Sequence, residues 1–303
     1  MNYNATGTAR KLSRALPISS LPLKATNVAA MHEETLRGSA GALYARAWLP
    51  LTPARALIAI CHGFNAHSGY YQWVGEQFAD AGYATFAVDL RGRGKSGGVR
   101  YYVESFDDYV ADLATLVIHA RTLQPNAPLF ILGHSAGGVV ACLYGLDHGA
   151  ELAGLICEDF AFEVPAPDFA LTILKGISHI APRARALTLK NADFSRDLHV
   201  VQAMNDDPLI AGEAQPFATA AALIRANERL RVSFSSLISP LLIIHGTADN
   251  ATRPSGSERL FEQAGSTDKT LKLYDGRFHD PLNDVGKEEV MTDVLAWVAE
   301  RVR

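Results

Sequence analysis

A chain of 303 residues, 48% hydrophobic and 20% charged, can bury a large core and is too apolar and too weakly charged for a disordered polymer. Its formal net charge of −4 provides no broad attraction to phosphate backbones, which argues against nucleic acid as a partner. No apolar run reaches the roughly 18 residues that a membrane-spanning helix needs, so no transmembrane segment is expected.

Residues 1–32 read as an N-terminal extension carrying Arg10, Lys11, Arg14 and Lys24 and no acid. Pro17, the Ser19-Ser20 pair and Pro22 interrupt the continuous apolar stretch that a secretory signal requires, and the expected address is the cytoplasm. Residues 33–48 alternate around Gly38-Ser39-Ala40-Gly41, the pattern of an antiparallel hairpin. Short apolar runs follow at 56–61, 83–88, 128–132, 152–157, 240–244 and 270–274. Such runs, bounded by turn residues, mark strands covered on both faces.

Helical stretches lie between them, at about 71–81, 105–124, 136–147, 255–264 and 286–302. The second shows the spacing best: Phe106, Tyr109, Val110, Leu113, Leu116, Val117 and Ala120 recur every three or four positions behind a Ser105 cap. Alternating strand and helix predicts an α/β fold with a mostly parallel central sheet flanked by helices, its site at the carboxyl ends of the strands. The alternation breaks at 160–238, which reads as a helical cap inserted between two strands of a core formed by 33–159 and 239–303. The cap's eight basic residues balance eight acidic ones, and its first part, Phe160 to Pro182, is apolar. Several short helices are expected there, covering the strand ends, lining an acyl site and touching membrane surfaces transiently. Cys61, Cys142 and Cys157 sit inside apolar runs and are expected to be buried rather than bridged.

Gly133-His134-Ser135-Ala136-Gly137 matches G-x-S-x-G, with the strand PLFIL entering and the helical run GGVVACLYG leaving, as in the nucleophile elbow of α/β-hydrolases. Ser135 is the predicted nucleophile. A serine hydroxyl needs a base within hydrogen-bond reach and a third group to orient that base. In this fold the chain order is Ser, acid, His, and His279 follows the last predicted strand. Asp249, in the turn past Pro240-Leu-Leu-Ile-Ile, is the predicted acid; Asp159 and Glu158, at the end of the preceding strand, compete with it. Two backbone N–H donors, of Ala136 and Phe64, are expected to form the oxyanion hole, with His62 bracing their loop. Gly92-Arg93-Gly94-Lys95-Ser96 lacks the spacing of a phosphate loop, and His62 and His67 lack companions at metal spacing. Neither metal nor cofactor is expected.

With these motifs the chain resembles the monoacylglycerol lipase and lysophospholipase branch of the α/β-hydrolases, the serine aminopeptidase S33 type. The resemblance rests on His62-Gly63 with His67-Ser68-Gly69 and Tyr71, Asp89-Leu90-Arg91-Gly92-Arg93-Gly94-Lys95-Ser96, and Ser105-Phe106-Asp107-Asp108-Tyr109. It extends through the serine elbow, Asp207-Pro208-Leu209 and His245-Gly246-Thr247-Ala248-Asp249. It implies a capped serine hydrolase that cleaves single-acyl-chain esters without a cofactor, its partner a small lipid-like ester. Members that cleave monoacylglycerol often carry a glutamate before the His-Ser-Gly and an arginine after it, where this chain has Ala66 and Tyr70. That exchange points toward a less polar or aromatic alcohol. His67, Tyr70, Asp159, Phe160 and Phe162 are the candidates for substrate contact. Acyl transfer or thioester hydrolysis would use the same three residues, and a non-catalytic ligand-binding protein could share the scaffold.

Overall fold

The computed structural model describes residues 31–302, so the N-terminal extension up to residue 30 lies outside the described residues. His32 already belongs to the first strand. β1 (His32–Gly38) and β2 (Gly41–Trp48) form the expected hairpin, with Gly38 opposite Gly41. β3 (Ala56–Cys61), α1 (Gln72–Asp80), β4 (Tyr83–Val88), α2 (Phe106–Leu123), β5 (Leu129–His134), α3 (Ala136–His148) and β6 (Leu152–Glu158) follow. After an insertion come β9 (Leu241–Gly246), α7 (Pro254–Gln263), β10 (Lys269–Tyr274) and α8 (Lys287–Arg301).

The eight strands make one sheet in the order β1-β2-β4-β3-β5-β6-β9-β10, antiparallel at β1–β2–β4 and parallel from β4 onward. β3, β4, β5 and β9 are buried at every position, because apolar helices cover both faces. One face packs α2, α3 and α7 against Leu57, Ala59, Ile131 and Ile243; the other packs α1 and α8 against Ile58, Ile60, Phe130 and Ile244. Ser105 caps α2 by accepting from the Asp107 N–H at 3.1 Å, as its sequence predicts. Strand ends run further than the apolar runs suggest. β5 continues through His134 and β9 through Gly246, since polar residues there are still inside the ladder. The cysteines are buried and free, Cys142 and Cys157 with Sγ atoms 3.6 Å apart.

The insertion holds α4 (Asp168–Ile180), β7 (Arg185–Leu187), α5 (Leu198–Asp206), β8 (Gln215–Pro216) and α6 (Phe217–Ser233). It differs from a string of short helices: α6 is 17 residues long, and β7 pairs with β8. Its apolar residues also divide. Phe160 and Phe162 sink into the main core, whereas Phe169, Ile173 and Ile180 on α4 are exposed. Among the described residues no helix is long and apolar enough to cross a membrane.

Trp297 anchors α8 to the sheet through an edge contact with Phe130, ring centroids 6.0 Å apart, and under the Arg301 guanidinium. Trp297→Ala should cost about 3–5 kcal/mol, as large aromatic truncations in packed cores do; chemical denaturation measures the loss.

Candidate active site

Ser135 occupies the single residue between β5 and α3, at φ 55° and ψ −119°. A non-glycine residue held there costs on the order of 1–3 kcal/mol, and the surroundings hold it by several bonds. The Ser135 N–H donates to the Glu158 carbonyl at 2.8 Å, and its own carbonyl accepts from Gly138 at 3.0 Å and Ala161 at 3.3 Å. The start of α3 is pressed so closely onto β3 that a Cβ on Gly137 would overlap the Cys61 and His62 carbonyls. That approach turns the Ser135 side chain out over the strand ends, away from the ladder.

His279 follows β10 and is completely buried. Its Nε2 lies 2.8 Å from Ser135 Oγ and its Nδ1 2.7 Å from Asp249 Oδ2. Asp249 follows β9, and its other oxygen accepts the N–H groups of Ala251 (2.7 Å) and Thr252 (3.0 Å) while the Thr252 hydroxyl donates to Oδ2 at 2.7 Å. Burial alone would raise the Asp249 carboxyl; His279 and the hydrogen bonds from His245, His279 and Thr252 outweigh it and hold the group well below the ordinary range. Asp249 is therefore an anion, and an anion at Nδ1 fixes the tautomer with Nδ1–H donating and Nε2 free to accept from Ser135. His134 reinforces the ring from below: its Nε2–H donates to the His279 carbonyl at 2.8 Å. Burial, and then His279, push the His134 imidazole down to about 3, so it stays neutral. Phe194, from the insertion, meets His279 edge-on at 5.0 Å.

Gly63 lies against Ser135, a hypothetical Cβ falling 2.8 Å from Ser135 Cβ. The next residue, Phe64, and Ala136 carry the expected donors, and neither N–H has an acceptor among the described residues. His62 braces this loop as expected, its Nδ1–H donating to the Gly63 carbonyl at 2.7 Å and its Nε2 accepting from the Leu90 N–H at 3.0 Å. Burial lowers its imidazole to about 4, which keeps that arrangement intact. A stronger brace carries no local sequence signal. Glu213, in the insertion, accepts the Asn65 N–H at 2.9 Å and pairs with the fully buried Arg93 guanidinium, which also reaches Gln215 Oε1 at 2.6 Å and lies 4.4 Å over the Phe64 ring. Arg93 belongs to the DLRGRG segment that the sequence singles out; nothing in Gly212-Glu213-Ala214 marks its partner.

Three of the substrate-contact candidates need correction. Asp159 is fully buried, with Oδ1 accepting the Gly246 N–H at 2.9 Å beneath Asp249; burial, Asp249 and Glu158 push its carboxyl well up. It buttresses the acid turn rather than reaching a ligand. Phe160 and Phe162 stack on each other at 5.6 Å and pack on Phe234, both buried in the core, because the chain leaving β6 turns inward under α3. Phe162 keeps one edge on a cavity beside α4, α6 and α7, away from Ser135. Tyr70 donates to Asp207 Oδ2 at 2.9 Å and His67 Nε2–H to the same oxygen at 2.8 Å. These two are thus committed to a carboxylate from the insertion, though only Tyr70 remains half-exposed. Burial and Asp207 push the Tyr70 hydroxyl up, so it remains a donor.

Glu158, fully buried, and Asp280, half-buried, form a second acidic pair. Glu158 Oε1 accepts the Leu282 N–H at 2.9 Å; burial and then Asp280 push its carboxyl well above the usual range. Asp280 is pushed up to about 6 by burial, against the opposing Asn283 amide. Asp159, His245 and Asp249 bring metal-ligating atom types within 4.8 Å of one another. Asp249 spends its oxygens on four hydrogen-bond donors besides His245, whose Nδ1 pairs with Ser257 Oγ at 2.7 Å. The group serves as a polar support for the His279 partner.

The fold and this constellation are those of an α/β-hydrolase. Residues 52–286 match the family model described as serine aminopeptidase, S33, and the chain belongs to that family. A monoacylglycerol lipase of Mycolicibacterium smegmatis is 32% identical over 84% of this chain and 92% of its own length. The caffeoylshikimate esterase of Arabidopsis thaliana is 29% identical over 87% and 83%. The crystal structure of a monoacylglycerol lipase from Paleococcus ferrophilus superposes with a TM-score of 0.76 at 27% identity, over 86% of this chain and 99% of that one. The family and these relatives make the chain a carboxylic ester hydrolase.

Removing one partner of a buried ion pair leaves an uncompensated charge, so Glu213→Ala should lose about 3–5 kcal/mol of stability. Glu213→Gln, which keeps an acceptor for Asn65, should lose less; urea denaturation ranks the two. Asp280 binds its proton more tightly folded than unfolded, between its ordinary 3.8 and about 6. Its contribution to stability is therefore greatest below that window and declines as pH rises through it. The natural protein should lose stability relative to Asp280→Asn as pH rises through that window, with the difference flat above it, in denaturation curves recorded across pH.

Proposed function

We propose that Ser135 is the nucleophile of an acyl-enzyme mechanism, with His279 as base and Asp249 as the group that orients it. The observation carrying this reading is His279 bridging Asp249 Oδ2 at 2.7 Å and Ser135 Oγ at 2.8 Å. Ser135 Oγ attacks the ester carbonyl as its proton passes to His279 Nε2. The Phe64 and Ala136 N–H groups receive the developing oxyanion. His279 then returns the proton to the departing alcohol, and water, deprotonated by the same nitrogen, releases the acid and restores Ser135. Asp249 stabilises the imidazolium in both steps.

The substrates are single-acyl-chain esters, which agrees with the names of the lipase relatives. Residues 160–238 act as the cap, and the exposed Phe169, Ile173 and Ile180 of α4 suit a face that rests transiently on a lipid surface. For the alcohol portion, Tyr70 favours a second reading. Its ring and the buried Ala66 stand where glycerol-cleaving members often carry a charged pair, and its hydroxyl is already taken by Asp207. A less polar or aromatic alcohol fits that wall better than glycerol.

Ser135→Ala should abolish both p-nitrophenyl ester turnover and fluorophosphonate labelling in a protein whose melting temperature is retained; labelling that persists would remove Ser135 from the role. Asp249→Asn should lower kcat by about 10⁴-fold through the wrong tautomer, read in the same assay. In a panel crossing acyl length with glyceryl, alkyl and aryl alcohols, kcat/KM should favour alkyl or aryl esters, and a clear preference for monoacylglycerol would overturn the reading of Tyr70.

A further inference from the structure

A cavity of about 460 Å³ opens between the segment after β6, α4, α6 and the start of α7, and Ser135 does not line it. Its inner wall is apolar, made by Phe162, Val164, Leu171, Leu223 and Ile224. Four cations surround that wall against two carboxylates. Lys175 is neutralised by Glu228 at 2.5 Å and Arg259 by Glu163 at 3.1 Å. Arg231 and Arg253 remain: among the described residues neither guanidinium has a carboxylate or hydrogen-bond partner, and Arg231 lies only over the Phe162 ring, at 5.3 Å. A pocket with one apolar wall and two uncompensated guanidinium groups on its rim is complementary to a molecule with a hydrocarbon chain and one anionic head.

We propose that this cavity binds a long-chain carboxylate, its chain along the Phe162–Leu223 wall and its head on Arg231 and Arg253. The choice of carboxylate rests on the ester hydrolysis proposed above, which releases that chemical class. The cavity also communicates with the nucleophile turn. Asn227, on the wall, donates to the Ala161 and Phe162 carbonyls at 2.8 and 3.1 Å, and the Ala161 N–H donates to the Ser135 carbonyl at 3.3 Å. A chain seated against Phe162 therefore bears on a segment directly bonded to Ser135.

Calorimetric titration of the full chain with dodecanoate, dodecanol, dodecyl phosphate and inorganic phosphate tests this. Dodecanoate should bind, dodecanol and inorganic phosphate much more weakly, and dodecyl phosphate no better than dodecanoate. The double variant R231S/R253S, and separately Arg253→Glu, should weaken dodecanoate by about tenfold or more, with melting temperatures reporting that the fold is retained. Dodecanoate held as a product beside Ser135 would be indifferent to both variants, so unchanged affinity overturns the proposal; so does tighter binding of dodecyl phosphate, which would make the ligand a phosphate-headed lipid. Turnover of p-nitrophenyl acetate by the natural protein is measured in parallel. Its absence alongside arginine-dependent binding would sink the hydrolase mechanism and leave the anion site standing, whereas turnover without such binding would do the reverse.

Discussion

The contact on which the remainder of the molecule depends is the seating of α3 on β3 at Gly137. Because no side chain intervenes, the helix backbone reaches the Cys61 and His62 carbonyls, and the chain between β5 and α3 has room for only one residue. That residue must turn through a backbone region that side chains rarely adopt. The cost is offset by hydrogen bonds between its peptide groups and those of Glu158, Gly138 and Ala161, so the end of β6 with the segment after it and the first turn of α3 cooperate to hold one serine. Gly63 and the loop beyond it are brought against the same serine by the same approach.

Electrostatically, the site separates one anion from a surrounding set of neutral groups. Asp249 keeps its charge because it collects several donors, while burial discharges its neighbours. His62 and His134 are held neutral by desolvation, and Asp159 and Glu158 are pushed toward their protonated forms. The Asp249 charge acts on His279 at hydrogen-bond range in a region of low polarity, with Asp280 as the nearest second carboxyl. The further buried charges, Arg93 and Glu213, cancel each other beside the Gly63–Asn65 loop, where they position a backbone turn instead of a proton.

Much of this was legible in the chain itself because the chemistry is local. G-x-S-x-G between an apolar strand and an apolar helix, an aspartate just past the next buried strand, and a histidine past the last one have few alternative arrangements in an α/β sheet. The parallel strands were legible for the same reason, since burial on both faces leaves uninterrupted apolar runs. What the sequence leaves undetermined is everything set by contacts across long separations. Glu213 meets Asn65 across 148 positions, and no periodicity announces such a pair. Phe160 and Phe162 look like the start of a greasy cap, yet their direction depends on where α3 and α6 stand. Asp159 looks like a strand-end ligand contact until its backbone, at φ 44°, turns the carboxylate down to Gly246. Hydrophobicity reports that a residue is buried; it does not report under which neighbour.

The insertion is fastened to the loop that carries His279 as much as to its own flanking strands. The Asp280 N–H donates to the Phe194 carbonyl at 3.0 Å, Arg196 pairs with Asp284 at 2.7 Å, and Ser195 bonds the same carboxylate at 3.1 Å. The stretch 193–197 and the stretch 279–285 are therefore a single mechanical piece made of two distant segments. In evolutionary terms they form one heritable unit: recombination that exchanges the insertion between relatives without the loop after β10 would separate His279 from the strap that holds it. Changes on the exposed face of α4, at Phe169, Ile173 and Ile180, touch neither that piece nor the Glu213–Arg93 pair.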